Sequence, residues 1–179
     1  TGFTQGTGNS TTASSSAHTI SGLTANSSYD IYVRADCGSS QSSWVGPITV
    51  YTGYCIPSPS SVDNSGITNV SFSTVNNTTS TETNNYGDYS AMVGDISQTT
   101  TVAVDITYET GYTYVTEIWI DWNNDLDFED AGENVYSGTS TSANPTTLNA
   151  SFVVPLNAPL GHHRMRIGGS YNSASSVVP

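Results

Sequence analysis

The sequence predicts an all-β fold, an antiparallel β-sandwich, and two observations support this prediction. Apolar and polar residues alternate in short runs, and no segment has the spacing of an amphipathic helix. Clusters of Gly, Asn, Pro and Ser separate these runs, as turns separate strands. Because alternation places the apolar side chains of a strand on one face, two sheets can bury these faces against each other.

Seven strands can be assigned from this alternation. In chain order they are residues 29–35, 46–51, 67–73, 102–108, 118–120, 148–154 and 164–168. The apolar residues expected to face the core in three of them are Val102, Val104, Ile106 and Tyr108, then Ile118 and Ile120, and then Leu148, Ala150, Phe152 and Val154. In the last strand, Met165 and Ile167 point to one side. Arg164 and Arg166 point to the other.

The charge of the chain narrows the range of partners. The 179 residues include 15 acidic and three basic side chains, and the formal net charge is -12. Contacts to nucleic acid phosphates and to anionic lipid headgroups rely on clustered Lys and Arg, so we expect neither nucleic acid nor membrane partners. No stretch approaches the roughly 18 apolar residues that cross a bilayer. Because neutral polar residues are abundant and charged ones are only 10% of the chain, we expect a secreted or cell-surface protein.

A domain boundary is predicted near Thr52, where the strand pattern gives way to Gly, Pro and Ser in TVYTGYCIPSPSSVDNSG, dividing the chain into residues 1–52 and 53–179. In the first segment, HTISGLTANSSYDIYVRADCG and SSWVGPITVYT resemble the second half of a fibronectin type III domain of secreted Bacteroidetes proteins. The resemblance implies a partial immunoglobulin-like sandwich in which Leu23 and Tyr29 form a tyrosine corner. Since such a sandwich needs about 100 residues, the segment is expected to require partner strands from elsewhere.

The two cysteines, Cys37 and Cys55, leave two interpretations open. They are compatible with one mutual disulfide in an oxidising compartment, and their spacing fits no zinc site. Alternatively, both are structural cysteines whose partners lie outside this sequence. The choice depends on disulfide geometry, which requires the fold.

The acidic stretch EIWIDWNNDLDFEDAGENV is the strongest local signal. Six carboxylates fall within 13 residues: Asp121, Asp125, Asp127, Glu129, Asp130 and Glu133. Two unit charges about 4 Å apart repel by roughly 1 kcal/mol in water and by more near a protein surface. A cation would relieve this repulsion, and hard oxygen ligands at alternate positions favour calcium.

The order of the side chains in this stretch matches an EF-hand-type loop in part. Asp121, Asn123, Asp125 and Asp127 occupy positions 1, 3, 5 and 7. Position 6, where Gly is expected, is Leu126, and a left-handed Leu costs on the order of 1 kcal/mol. Position 12 is Gly132, with Glu133 one place late. We predict an EF-hand-like calcium loop between strands, with ligands Asp121, Asn123, Asp125, Asp127 and Glu133; the alternative is a solvated acidic loop without a fixed ion.

Five short signatures follow one another along the chain: YCIPSP, ITNVSFSTVNN, NNYGDYS, WIDWNNDLDFEDAGE and LNAPLGHHRMRI. Together they resemble a bacterial GEVED domain, an accessory β-sandwich of secreted multidomain proteins that are often sorted by type IX secretion. The resemblance implies an accessory module attached to a catalytic domain in the same parent chain. It also implies that the closing GEVEDY strand and the usual partner of Cys55 are missing from this sequence.

The sequence contains no recognisable set of catalytic residues. His162 and His163 are adjacent, so in a strand their side chains point to opposite faces and cannot share one metal ion. No G-x-S-x-G, H-E-x-x-H or phosphate-loop motif occurs. Asp88 could pair with a distant carboxylate as in glycosidases, although a structural or calcium-linked role fits it better. We therefore expect no enzymatic activity.

Aromatic and basic side chains suggest ligand-binding residues. If the Ile118 face is buried, Trp119 lies on the outer face of its strand, and Tyr112 lies near the tip of a hairpin predicted at YETGYTYV. Arg164 and Arg166 share an outer face and could contact a carboxylate or sulfate. The alternatives are that the aromatic rings are ordinary core and that the arginines pair with the chain's own acids.

The aromatic and basic residues favour carbohydrate binding over a protein-binding role. Because aromatic rings stack on sugar rings, we predict polysaccharide binding that targets an attached enzyme to its substrate. The alternative is a protein-binding or spacer module of a secreted protease or adhesin, with an extracellular protein as its partner.

Overall fold

The structure, a computed structural model, describes residues 4–15, 17–24, 26–55, 57, 66–79 and 86–171. The chain forms two compact units, Thr1–Tyr54 and Cys55–Pro179. The described residues form strands and no helix, and every strand pair is antiparallel, which confirms the predicted all-β class. None of the described segments is therefore a helix that could cross a bilayer.

The first unit contains a two-stranded sheet. Strand β1 (Ser28–Val33) pairs with β2 (Val45–Tyr51). The Tyr29 hydroxyl accepts a hydrogen bond of 2.8 Å from the Thr24 N–H, so the phenol contacts the preceding chain. None of the described residues of this unit is fully buried. A two-stranded sheet with so little burial is marginally stable by itself.

The second unit contains two sheets in a sandwich-like arrangement. Strands β3 (Ile67–Phe72), β4 (Val75–Thr78), β5 (Thr101–Tyr108) and β8 (Thr146–Val153) form a four-stranded sheet in the order β4-β3-β5-β8. Strands β6 (Tyr114–Ile120), β7 (Asn134–Thr139) and β9 (Met165–Tyr171) form a three-stranded sheet in the order β7-β6-β9. Strands β4 and β7 were not predicted, because VNNT and NVYSGT show little apolar alternation.

The core lies between these two sheets. Its fully buried residues include Val104, Ile106 and Tyr108 of β5 and Ile118 of β6, as the alternation predicted. Leu148, Met165 and Ile167 pack against the same cluster, so the face assignments of β8 and β9 are also confirmed. Each apolar side chain removed from water in this way stabilises the fold by about 1.5–3 kcal/mol.

The connection between β5 and β6 differs from the predicted hairpin. The two strands belong to different sheets, so the chain passes from one layer of the sandwich to the other. The rings of Tyr108 and Tyr114 stack with centroids 4.9 Å apart, and the Tyr108 hydroxyl hydrogen-bonds the Thr116 hydroxyl at 2.7 Å. The apolar faces of both strands are thus buried between the two layers. The local sequence does not distinguish this arrangement from a hairpin within one sheet.

Candidate functional site

The acidic loop, residues 121–133, connects β6 to β7 at the end of the central strand of the three-stranded sheet. Its two ends are held together by a hydrogen bond from the Ile120 N–H to the Glu133 carbonyl, 2.9 Å long. The Asp121 N–H donates to the Arg164 carbonyl at 3.0 Å. The loop therefore begins and ends at fixed positions beside β9.

Asp121 organises the first half of the loop from a fully buried position. Its carboxylate accepts hydrogen bonds from the N–H groups of Asn124 at 2.6 Å and Leu126 at 3.0 Å. Asn124 and Leu126 have left-handed backbone conformations, with φ of 59° and 79°. The chain therefore turns sharply at Leu126, which is position 6 of the predicted EF-hand-type loop, where Gly is usual.

The middle of the loop exposes its polar side chains. Asn123, Asp125 and Asp127 each accept a hydrogen bond from the backbone N–H two residues later, at 3.1, 3.3 and 2.9 Å. The Asn123 amide also donates to Asp125 at 3.0 Å and to Asp130 at 2.6 Å. Phe128 is buried and anchors the loop to the domain. The loop is thus ordered by its own Asx turns and by one apolar side chain.

Glu133 is the loop's most unusual group. It is 2% exposed, and one of its carboxylate oxygens accepts a hydrogen bond of 2.9 Å from the Trp122 N–H. The other oxygen, Oε2, is buried and has no hydrogen-bond partner among the described residues. Burial raises the pKa of Glu133, and the negative charges of Asp121 and Asp125 raise it further. A buried carboxylate oxygen without a donor is costly, so this position suits a cation.

The predicted ligands are close in sequence but do not surround one point. In the described part of the chain, no group of three or more His, Cys, Asp and Glu side chains is arranged to hold a metal ion. Asp121 and Glu133 lie at the buried base of the loop, whereas Asn123, Asp125 and Asp127 are exposed. The structure brings together the loop's ends rather than all five predicted side chains.

Trp119 is 3% exposed, so the prediction that its ring is accessible to a ligand is wrong. It lies opposite Arg166 in the β6–β9 ladder, on the face away from the core isoleucines. The Arg166 guanidinium lies 4.8 Å from the centroid of the Phe128 ring. It also donates to the Cys55 carbonyl at 2.6 Å and contacts the Cys55 sulfur at 3.3 Å. Arg166 thus contacts both the acidic loop and the start of the second unit.

The two arginines have different partners. Arg164 is half-buried and forms an ion pair of 3.8 Å with Asp88. Hydrogen bonds from Ser90 lower the pKa of Asp88, and the positive charge of Arg164 adds to this effect. Arg166 binds the Cys55 carbonyl and the Phe128 ring, so it is not available on an outer face. Cys37, in the first unit, and Cys55, in the second, are both exposed.

His163 has a structural position. Its two ring nitrogens lie 3.0 Å from the Asp121 carbonyl and 2.9 Å from the Pro159 carbonyl. Its ring also contacts the edge of Trp122, with centroids 5.5 Å apart. The histidine therefore ties the loop before β9 to the start of the acidic loop.

Tyr112 is exposed, as expected, and it has a partner that the sequence did not indicate. Tyr112 and Tyr171 are 55% and 53% exposed. Their ring centroids are 5.3 Å apart and their planes differ by 72°. Tyr171 also contacts the buried Tyr114 at 6.4 Å. The pairing of β6 with β9 places Tyr171 opposite Tyr114, and this register could not be read from the sequence.

Comparison with known protein families identifies part of the second unit. Residues 115–179 match the family model of the GEVED domain, which confirms the resemblance over these residues. The matched region includes β6 except for Tyr114, the acidic loop and β7 to β9. Searches against curated proteins and against solved structures find no match.

Proposed function

We propose that this chain is a non-catalytic accessory module of a secreted multidomain bacterial protein, and that it binds polysaccharide to hold an attached enzyme near its substrate. The observation that carries this proposal is the pair of exposed rings of Tyr112 and Tyr171. Exposed tyrosines that touch each other and rest on a buried ring are a ready surface for an amphipathic ligand.

The geometry of this tyrosine pair favours one sugar residue over a flat crystalline surface. Because the two ring planes differ by 72°, they do not form a level platform for successive sugars. They form a corner in which one ring stacks on the C–H face of a sugar and the other contacts its edge. Tyr114, stacked on Tyr108 in the core, supports Tyr171 and reduces the entropy lost on binding.

Binding to arrays of soluble and insoluble polysaccharides tests the proposal, with affinities then measured by calorimetry. Tyr112→Ala and Tyr171→Ala should each weaken binding about tenfold, which corresponds to about 1.4 kcal/mol. Tyr51→Ala is the matched control, because Tyr51 is also an exposed strand tyrosine but lies in the first unit. Absence of binding to every polysaccharide would refute the proposal.

We include calcium in the proposal, with Asp121 and Glu133 at the buried base of the loop as its first ligands. Asn123, Asp125 and Asp127 are exposed in this structure and would have to turn toward that base for all five side chains to bind one ion. The buried Glu133 Oε2, which has no donor among the described residues, is the observation that fits a cation. Calcium accepts six to eight oxygen ligands, and carboxylate and amide oxygens are the donors that this loop offers. Bound calcium would neutralise the repulsion among the loop's carboxylates and fix the loop beside β9.

Thermal melting with calcium and with EDTA tests this part of the proposal. Extracellular calcium modules have dissociation constants of about 10⁻⁴ to 10⁻³ M. About 10 mM calcium should therefore stabilise the fold by roughly 1.4–2.7 kcal/mol and raise the melting temperature. Identical melting curves in calcium and in EDTA would show that the stretch is a solvated acidic loop.

A protein-binding or spacer role is the second candidate, and one surface feature favours it. Leu156 and Leu160, in the loop between β8 and β9, are 75% and 89% exposed. Exposed apolar side chains close in sequence are typical of contacts with another protein. This candidate gains support if no polysaccharide binds and if Leu156→Ser weakens association with the parent protein's other domains.

A further inference from the structure

A cleft of about 350 Å³ opens at one end of the four-stranded sheet. It lies between the β3–β4 turn, the segment before β5 and the first residues of β5. The residues that matter to its chemistry are Ser73, Asp95, Ile96, Ser97, Thr101 and Ala103. Seven of its eight lining residues are exposed, with Val102 the buried one, so the cleft is shallow and open and can contact one face of a sugar ring rather than enclose it.

The wall formed by residues 93–95 is fixed against the β3–β4 turn. The Ser73 hydroxyl donates to the Asp95 carbonyl at 2.7 Å, and the Thr74 hydroxyl donates to the Val93 carbonyl at 3.4 Å. Gly94 lies against Phe72 so closely that a Cβ would be 2.5 Å from the ring. These contacts hold the wall in place without a ligand.

The floor of the cleft is also fixed. The Thr100 hydroxyl donates to the Ser97 carbonyl at 2.6 Å, which closes a turn ahead of β5. The Thr99 N–H donates to the Val154 carbonyl at 2.9 Å, which ties this turn to the end of β8. The cleft is therefore preformed, and a ligand would lose little free energy in ordering it.

The polar groups inside the cleft are available to a ligand. No described residue donates a hydrogen bond to the Asp95 carboxylate, and the hydroxyls of Ser97 and Thr101 likewise make no hydrogen bond within the described chain. Ile96 and Ala103 add an apolar surface beside them. A carboxylate can accept hydrogen bonds from neighbouring sugar hydroxyls while an apolar surface contacts the C–H groups of the ring.

The charge of the cleft selects among sugars. Its lining contains one carboxylate and no Arg or Lys, and the whole chain carries a net charge of -12. An anionic sugar would be repelled without a compensating cation. The chemistry therefore matches a neutral hexose rather than a uronic acid or a sulfated sugar.

We propose that this cleft is a second carbohydrate subsite, which takes one neutral hexose unit of the polysaccharide. This inference rests on the proposed function. The cleft lies at the start of β5, and Tyr112 follows the end of the same eight-residue strand, so the two subsites are separated by roughly the strand's length, about 25 Å. A long polysaccharide can contact both subsites, whereas a monosaccharide occupies one, so affinity should increase with chain length.

The test compares variants of the full chain for binding to a neutral polysaccharide found on the arrays. Asp95→Asn removes the carboxylate but keeps the size of the side chain, and binding should weaken about tenfold. Ala103→Leu fills the cleft from the exposed face of β5 and should weaken binding by a similar factor. Glu129→Gln, which neutralises an exposed carboxylate outside both subsites, is the matched control and should bind as the unmodified protein does.

The outcomes separate this inference from the proposed function. If Tyr112→Ala weakens binding while Asp95→Asn and Ala103→Leu do not, the cleft is not a subsite and the proposed function stands. If Asp95→Asn also lowers the melting temperature, its weaker binding could come from a loss of folding, and the Ala103→Leu variant then decides whether the cleft is a subsite. Affinity of the Ala103→Leu variant equal to that of the unmodified protein overturns the inference. Equal affinity for neutral and anionic polysaccharides overturns the assignment to a neutral sugar. If the unmodified chain binds no polysaccharide, the proposed function fails and the subsite fails with it.

Discussion

Glu133 and Trp119 show how much the surroundings of a single residue decide its role. Both are buried, but Glu133 has an oxygen without a partner among the described residues, whereas Trp119 is an apolar ring enclosed beside Arg166. A buried charge costs free energy unless a cation or donor compensates it, and a buried aromatic ring stabilises the fold. We therefore expect that neutralising Glu133 does not lower stability in the absence of calcium, whereas truncating Trp119 does.

Substitution Glu133→Gln should separate the charge of this residue from its volume. In EDTA, the variant should be at least as stable as the unmodified protein, because it removes a buried charge that Asp121 and Asp125 repel. In calcium, the variant should lose most of the increase in melting temperature. Glu129→Gln should retain that increase, and a Glu133→Gln variant that also retained it would rule out Glu133 as a ligand.

Trp119→Ala should destabilise the second unit by about 3–5 kcal/mol, the usual cost of truncating a buried aromatic side chain. Tyr112→Ala should change stability by no more than about 0.5 kcal/mol, because the ring is exposed. Urea unfolding followed by tryptophan fluorescence or circular dichroism measures both. A Trp119→Ala protein as stable as the unmodified one would mean that this ring is accessible after all.

At the scale of elements, the acidic loop combines an ordered backbone with local strain. Asp121 holds the turn by accepting two backbone hydrogen bonds, and the turn places Leu126 at a φ of 79°. A left-handed non-glycine residue costs roughly 1–2 kcal/mol. The hydrogen bonds and the anchoring Phe128 side chain maintain this conformation against that cost.

Leu126→Gly should therefore stabilise the loop slightly. Relief of the strain contributes about 1–2 kcal/mol, and the greater freedom of Gly in the unfolded chain offsets about 0.4–1 kcal/mol of it. The expected net gain is between about 0 and 1.6 kcal/mol, seen as a higher melting temperature. Leu160→Gly is the control, since Leu160 is an exposed loop leucine outside the positive-φ residues, and Gly there should lower stability. A lower melting temperature for Leu126→Gly would argue against strain at this turn.

At the scale of the whole molecule, the two units differ in how much apolar surface they bury. The core cluster lies entirely in the second unit, between its two sheets. In the first unit, no described residue is fully buried, and Val45 and Ile48 are exposed. Since burial of apolar surface is the main source of folding free energy, we expect the second unit to fold independently and the first unit not to.

A fragment of residues 1–52 should accordingly show no cooperative thermal transition by circular dichroism, because two strands without a core are marginal in water. A fragment of residues 53–179 should melt cooperatively, since it retains every residue of the core cluster. A cooperative transition in the shorter fragment would show that its strands suffice for a stable domain.

The sequence by itself determined the features that depend on local pattern. Alternation with period two assigned the core faces of β5, β8 and β9, because neighbouring side chains of a strand must point to opposite sides. The charge density of residues 121–133 likewise identified the loop that ends in the buried Glu133. Both signals are carried by residues close together in the chain.

Only the tertiary structure decided which of the remaining side chains are accessible. Trp119 is buried, and its cross-strand neighbour Arg166 contacts Phe128 and Cys55, although Cys55 and Arg166 are 111 residues apart. The contact of Tyr112 with Tyr171 depends on the β6–β9 register, and the cleft forms where the β3–β4 turn meets the segment before β5. Period-two alternation states which side of a strand a residue occupies, but it carries no information on what distant segment covers that side.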